Sequence, residues 1–134
     1  MRKIKDLELH SPITVQVGMT VFDVCKVLDE AGIGATPVLD ESGGLAGIFT
    51  ERDLLRKVVS KGLDPTIVTI EQVMTSKVST IGPDQTIQDA NVIMNDLRCR
   101  HLPVLENEKL IAVISIRDVM QSLMQDVIDN FLEM

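Results

Sequence analysis

Two short stretches set a hydroxyl and a carboxylate three residues apart: Thr50 and Asp53 in GIFTERDLL, and Ser115 and Asp118 in AVISIRDVM. Each pair lies where an apolar run gives way to a helical pattern. The hydroxyl can accept an N–H of the first helical turn while the acid reaches back to the hydroxyl residue's own N–H. The sequence also contains a control, because Thr20 with Asp23 and Thr86 with Asp89 have the same form and also open helical patterns. Four such boxes cannot all be ligand sites, so helix capping is the baseline reading for each.

Two features set 50–53 and 115–118 apart. Each follows an apolar strand, LAGIFT or LIAVIS, with no intervening loop. Ligands of α/β sheets collect where strands end and helix amides begin. Each also carries an arginine in the first turn, Arg52 and Arg117. A cation there opposes the helix dipole, and its repetition points to an anion or a carboxylate partner. A hydroxyl beside free amides suits a phosphate, and an acid suits the paired hydroxyls of a ribose. Together they describe a nucleoside phosphate.

The elements that must position these residues occur twice. Shifting the chain by 66 lays Thr14 on Thr80, Thr20 on Thr86, Asp23 on Asp89 and the PVL at 37–39 on the PVL at 103–105. After a one-residue deletion in a turn, Leu45 falls on Leu110, Arg52 on Arg117 and Asp53 on Asp118. This is an internal duplication. In one unit, ITVQV is a short β-rich run ended by Gly18. TVFDVCKVLDEAG puts Val21, Val24, Leu28 and Ala31 on one helical face, with Gly32 as its stop. ATPVLD and LAGIFT are strands joined by the ESGG turn, and ERDLLRKVVSKG is a second helix ended by Gly62.

The fold class is therefore α/β, with two tandem β-α-β-β-α repeats. Residues 1–62 form the first repeat, 63–78 a linker and lead-in, and 79–134 the second repeat with an extended C-terminal helix. Within the linker, EQVMTSKVST echoes the KDLELHSPIT that precedes the first strand. A lone unit leaves its sheet and helices half uncovered, so the repeats are expected to pack face to face. The last helix continues an apolar stripe through Val119, Met120, Leu123, Met124, Val127, Ile128, Phe131 and Leu132. That is longer than one small core requires, and the stripe is expected to cover a second chain as well.

Composition removes several function classes. Aromatic residues are 2% with no Trp or Tyr, which argues against the stacking platforms that bind single-stranded nucleic acid. The net charge of −7 repels polyanions and anionic membranes, so neither nucleic acid nor membrane is an expected partner. The N-terminus has no apolar leader core and no apolar run approaches a membrane span, giving a cytoplasmic expectation. Cys25 and Cys99 lack CxxC spacing, which speaks against a disulfide framework or a zinc site. Cys25 falls in an apolar helical pattern, and His10 and Cys99 have no partner pattern, so all three are read as structural. No Ser/His/Asp set, metal-spaced cluster or Walker-type loop occurs, and the expectation is a protein without catalysis or cofactor.

The duplicated unit, the strands at 36–40 and 102–106 built around Pro-Val, and the GIFTERDL ending resemble a tandem pair of CBS domains over essentially the whole chain. That resemblance implies a stand-alone regulatory module, an energy sensor where its ligand is an adenine nucleotide. It implies an adenosyl ligand (AMP, ADP, ATP or S-adenosylmethionine) in clefts between the repeats, a homodimer, and an effector protein of unknown identity. Carried over residue by residue, one cleft takes ribose on Asp53 and phosphate on Thr50 beside Arg52, facing Arg100, His101 and Thr80. In the other, Asp118, Ser115 and Arg117 play those parts, facing Thr14 and the segment Gly34, Ala35, Thr36. Backbone groups beside Val38 and Val104 contact the base. The clefts differ, since Gly34 and Ala35 stand where the first has Arg100 and His101, and Ala112 replaces Gly47. The alternative within the same fold is a ligand-free interaction and dimerisation module.

Overall fold

The computed structural model describes residues 2–133. Its elements run β1 (Val15–Gln16), α1 (Val21–Ala31), β2 (Ala35–Leu39), β3 (Leu45–Thr50) and α2 (Glu51–Asp53), which continues as a π-helix over Leu54–Val59. Then follow α3 (Ile87–Leu97), β4 (His101–Glu106), β5 (Lys109–Ser115) and α4 (Ile116–Leu132). β1 lies parallel to β2 and β2 antiparallel to β3 in one sheet, while β4 and β5 form an antiparallel pair.

The repeats share fine detail. Val38 stands opposite Gly47 and Val104 opposite Ala112, and in both hairpins the register shifts at the next residue. α1 buries Val21, Val24 and Leu28, and α3 buries Ile87, Ala90 and Met94. Both helices end on a left-handed residue, Gly32 at φ 67° and Arg98 at φ 53°. Only the second stop lacks glycine, at a cost of roughly 1–2 kcal/mol.

Two expected elements come out differently. The first strand of the second repeat shrinks to a single bridge between Ile81 and Val104. In the first repeat the ladder is extended by the Val17 N–H, which donates to the Leu39 carbonyl at 3.0 Å. The matching residue of the second repeat is Pro83, which has no N–H to give. The second helix of the first repeat, expected as α through Gly62, leaves the α pattern after Asp53. Its i to i−5 bonds reach Ser60, whose N–H donates to the Leu55 carbonyl at 2.9 Å.

The chain divides into two compact units. One is Pro12–Val78; the other joins the residues up to Ser11 with those from Ser79 onward. Each lead-in thus packs with the repeat that does not follow it. Ile4 is fully buried among Ile81, Ile87, Leu102 and Ile114. Its N–H donates to the Gln85 carbonyl at 2.9 Å, and the Ile87 N–H donates to the Arg2 carbonyl at 3.0 Å. In the other unit Ile70 is fully buried among Val21, Val24, Phe49 and Val58. There the Ile70 N–H donates to the Met19 carbonyl at 2.8 Å.

α4 buries Val119 and Ser122 and rests Leu123 on the core. It leaves Met120, Met124, Val127, Ile128, Phe131 and Leu132 exposed. Arg2 ties the helix down through Asp126 at 3.3 Å and Asp129 at 3.7 Å. Among the described residues no helix is long and apolar enough to cross a membrane.

Candidate functional site at the two strand-to-helix junctions

At the first junction Thr50 leaves β3 in an extended conformation, and its hydroxyl accepts the Asp53 N–H at 3.2 Å. Asp53 returns the bond, its Oδ2 accepting the Thr50 N–H at 3.1 Å, so the capping box is complete. The carboxylate does more than cap. It is 7% exposed, and its Oδ1 accepts Lys57 Nζ at 3.1 Å and the Thr75 hydroxyl at 3.3 Å. Lys57 Nζ also lies 3.4 Å from Thr75 Oγ1, closing a three-membered polar ring.

Thr75 is held there by backbone. It exchanges both N–H···O bonds with Ile48, each 2.9 Å. This close pass needs Gly47: a Cβ at that position would sit 2.6 Å from the Thr75 carbonyl oxygen and 2.7 Å from Met74 Sδ. The space that Gly47 leaves is therefore filled by the lead-in of the protein itself. Sequence reading missed Lys57 and Thr75. The signals were a lysine four residues after an acid on a helix and a threonine in the echoed lead-in, both weak by themselves.

Of the remaining first-unit residues, Gly34, Ala35 and Thr36 lie at the same sheet end. Ala35 pairs with Thr50 in register, and the Glu51 N–H donates to the Gly34 carbonyl at 2.9 Å. The Glu51 carboxylate lies over Gly34, where a Cβ would meet Oε1 at 2.9 Å. Thr36 is fully buried, and its hydroxyl donates to the Ile13 carbonyl at 3.0 Å. Val38 is fully buried in β2, Thr14 is exposed just before β1, and Arg52 is exposed.

The second junction repeats the cap without the lysine–threonine ring, among the described residues. Ser115 Oγ accepts the Asp118 N–H at 3.2 Å, and Asp118 Oδ2 accepts the Ser115 N–H at 2.8 Å and its hydroxyl at 3.0 Å. Asp118 is exposed, and its Oδ1 has no hydrogen bond or ion pair among the described residues. The matching positions explain why. Ser122 stands in place of Lys57, and Leu9, packed on the core, in place of Thr75.

Basic residues flank this junction. His101 opens β4 directly opposite Ser115, and the Ile116 N–H donates to the Arg100 carbonyl at 2.8 Å. The guanidinium groups of Arg100 and Arg117 are exposed and make no ion pair among the described residues. Val104 is fully buried opposite Ala112, and Thr80 is half-buried beside the Ile81 bridge. Within its unit, each junction thus gathers a hydroxyl, an acid and an arginine. Arg100 and His101 join the Ser115 set, and Gly34, Ala35 and Thr36 join the Thr50 set.

The control boxes behave as caps. Thr86 and Asp89 close a full box on an exposed surface, at 3.0 and 3.1 Å. At Thr20 the hydroxyl accepts the Asp23 N–H at 3.2 Å, and the acid does not return the bond. Cys25 and Cys99 are both partly buried against their cores, and burial pushes both thiols up, which disfavours the thiolate. Among the described residues no group of three or more His, Cys, Asp or Glu side chains is placed to hold a metal ion.

A β-α-β-β-α unit and a second copy of it whose first strand is reduced to one bridge, each ending its last strand in a capped hydroxyl–acid pair, define the class as a tandem-repeat protein of the α/β type. The CBS domain model matches residues 4–60 and again 70–125, and the chain belongs to the CBS-domain family. It is similar to a mitochondrial CBS domain-containing protein of Arabidopsis thaliana, CBSX3, at 34% identity over 80% of this chain and 54% of that one. The chain spans 21% to 54% of the length of the first curated relatives it matches. Its structure resembles that of a protein with CBS domains from Burkholderia ambifaria. There the TM-score is 0.82 and the identity 40%, over 87% of this chain and 85% of that one. It also shares its fold with the CBS domain pair of protein MJ0100, solved in complex with 5′-methylthioadenosine and S-adenosyl-L-methionine. That match has a TM-score of 0.85 and 24% identity, covering 94% and 98% of the two chains.

Proposed function

We propose that this chain is a non-catalytic regulatory module that binds an adenosyl ligand at its second strand-to-helix junction. The observation that carries the reading is the Asp118 carboxylate, exposed and with Oδ1 unengaged among the described residues, beside the Ser115 hydroxyl. An ionised carboxylate accepts through about four lone-pair sites, and here the sites on Oδ1 remain for the 2′ and 3′ hydroxyls of a ribose. Arg100, His101 and Arg117 flank the same strand end, a charge set suited to phosphate or to the carboxylate of S-adenosylmethionine. The complex formed by the MJ0100 pair supports the fold's suitability for adenosyl groups in that protein.

Output is proposed to pass through α4. Its exposed Met120, Met124, Val127, Ile128, Phe131 and Leu132 form the kind of apolar stripe that a second copy covers in a homodimer. Adenosine, AMP, ATP and S-adenosylmethionine, each at about 100 times its dissociation constant, should stabilise the fold by roughly 2.7 kcal/mol. That is a melting shift on the order of 10 °C for a chain of this size. No shift with any of them at millimolar concentration overturns the ligand reading and leaves the stripe as the functional surface.

A further inference from the structure

We infer that Lys57 is a built-in occupant of the Asp53 carboxylate, seated by Thr75, and that it keeps the first junction closed to ribose hydroxyls. This rests on the reading that an acid at such a junction receives the ribose. It assigns Lys57 and Thr75 as the residues that decide which of the two junctions does so.

Three donors already sit on Asp53: the Thr50 N–H at 3.1 Å, Lys57 Nζ at 3.1 Å and the Thr75 hydroxyl at 3.3 Å. About four acceptor directions are available to a carboxylate, so two further hydroxyls cannot be taken without displacing a donor. The donor set is built from separate parts of the chain. Lys57 comes from the π-helical segment and is 41% exposed at its side chain, while the acid it meets is 9% exposed at its own. Thr75 comes from the lead-in and is fixed by its two backbone bonds to Ile48.

The approach that brings Thr75 within reach is open only because position 47 is glycine. At the matching places of the second repeat stand Ser122, Leu9 and Ala112, and the Asp118 carboxylate has no cation on it among the described residues. Three separate positions change together with the state of the acid. A plain i,i+4 ion pair would need only Lys57. The lysine is also the part able to leave: its half-exposed ammonium can be rehydrated on displacement, whereas Thr75 is pinned.

Adenosine is the probe, because it has no phosphate whose attraction to the protein would change with the loss of a lysine charge. Calorimetric titration of Lys57→Met, which keeps the apolar stem and drops the ammonium, should show a second adenosine site that is absent or on the order of tenfold weaker in the unmodified chain. The double variant Lys57→Met with Asp118→Asn should retain that new site alone. Stoichiometry and affinity equal to the unmodified chain, in a Lys57→Met protein with a native melting transition, overturn the inference. If Lys57→Met fails to fold, Thr75→Val and Lys57→Gln carry the same test. Acylation of Lys57 by a succinimidyl ester, read by peptide mass spectrometry, gives a ligand-free measure. The amine should react several-fold faster in Asp53→Asn than in the unmodified chain, and equal rates overturn the lock. Failure of the functional reading looks different: the unmodified chain and Asp118→Asn then bind adenosine alike, whatever Lys57→Met does.

Discussion

The two strand-to-helix junctions have the same backbone and the same cap, yet one carboxylate is enclosed and the other open. Thr50 and Asp53 exchange hydrogen bonds at 3.2 and 3.1 Å, and Ser115 and Asp118 at 3.2 and 2.8 Å. What differs is the second layer of side chains: Lys57 and Thr75 on one side, Ser122 and Leu9 on the other. A duplicated unit can thus keep its fold-determining cap in both copies while changing access to the acid through residues outside the motif. The hydroxyl–acid pair explains the helix start in both repeats, and its surroundings decide what more each acid can accept.

Emptying the exchanged lead-ins should destabilise the two units most. Ile4→Ala and Ile70→Ala each empty a fully buried position and should each cost about 2–5 kcal/mol. Native-state hydrogen exchange should show Ile4→Ala loosening residues 79–133 and Ile70→Ala loosening residues 12–78. The reverse assignment would mean that each lead-in supports the repeat that follows it.

Next comes the open acid. Asp118→Asn should weaken adenosyl binding by about 1.5–3 kcal/mol, the worth of a hydrogen bond to a charged group. Its melting temperature should barely move, since the Ser115 cap is untouched and an asparagine carbonyl oxygen can still accept the Ser115 N–H. Asp23→Asn is the control, because Asp23 neither returns a cap bond nor carries a proposed ligand. Equal affinities for the two variants by calorimetry would remove Asp118 from the site.

Exchanging the small residues tests the closed side. Gly47→Ala forces a Cβ onto the Thr75 carbonyl and Met74 and should cost about 1–3 kcal/mol by overpacking. Ala112→Gly should cost only about 0.5–1 kcal/mol, the strand penalty of glycine. Chemical denaturation of both proteins distinguishes these. Near-equal losses would mean that the lead-in over Gly47 can move aside freely.

The smallest expected effect is on acid sensitivity. In the first unit a hydroxyl from Ser42 holds Asp40 below the usual carboxylate range, Thr66 does the same for Asp64, and the Gly18 N–H for Glu71. Depressed acids stabilise the folded state above their unfolded pKa, and that contribution is lost as pH falls through the lower folded value. In the second unit Asp84 is depressed by Lys5, whose own pKa the pair raises. Their shared contribution fades at low pH through Asp84 and, at the alkaline end, as pH rises through the Lys5 value. All of these groups are at the surface, so the effect is slight. NMR-monitored titration should show the 40–44, 64–66 and 18/71 contacts loosening at pH below the ordinary carboxylate range.

The duplication, the β-α-β-β-α order, the apolar helix faces and all four helix starts follow from the sequence alone. They depend on local spacing: a hydroxyl and an acid three apart, apolar residues at helical intervals, and Gly32 where the chain must turn left-handed. The repeat itself was legible because both copies answer to the same local rules. Everything that joins distant segments depends on long-range packing. Pro83 ends a ladder only because the Leu105 carbonyl would have been its partner, as Leu39 is for Val17. Met74 and Thr75 reach Gly47 from the lead-in to the other repeat, and Lys57 reaches Asp53 along a helix whose α pattern gives way to π. Burial and long-range backbone pairing set the environment of each carboxylate. No spacing rule carries that information, so two acids in the same motif read alike in the sequence and differ in the fold.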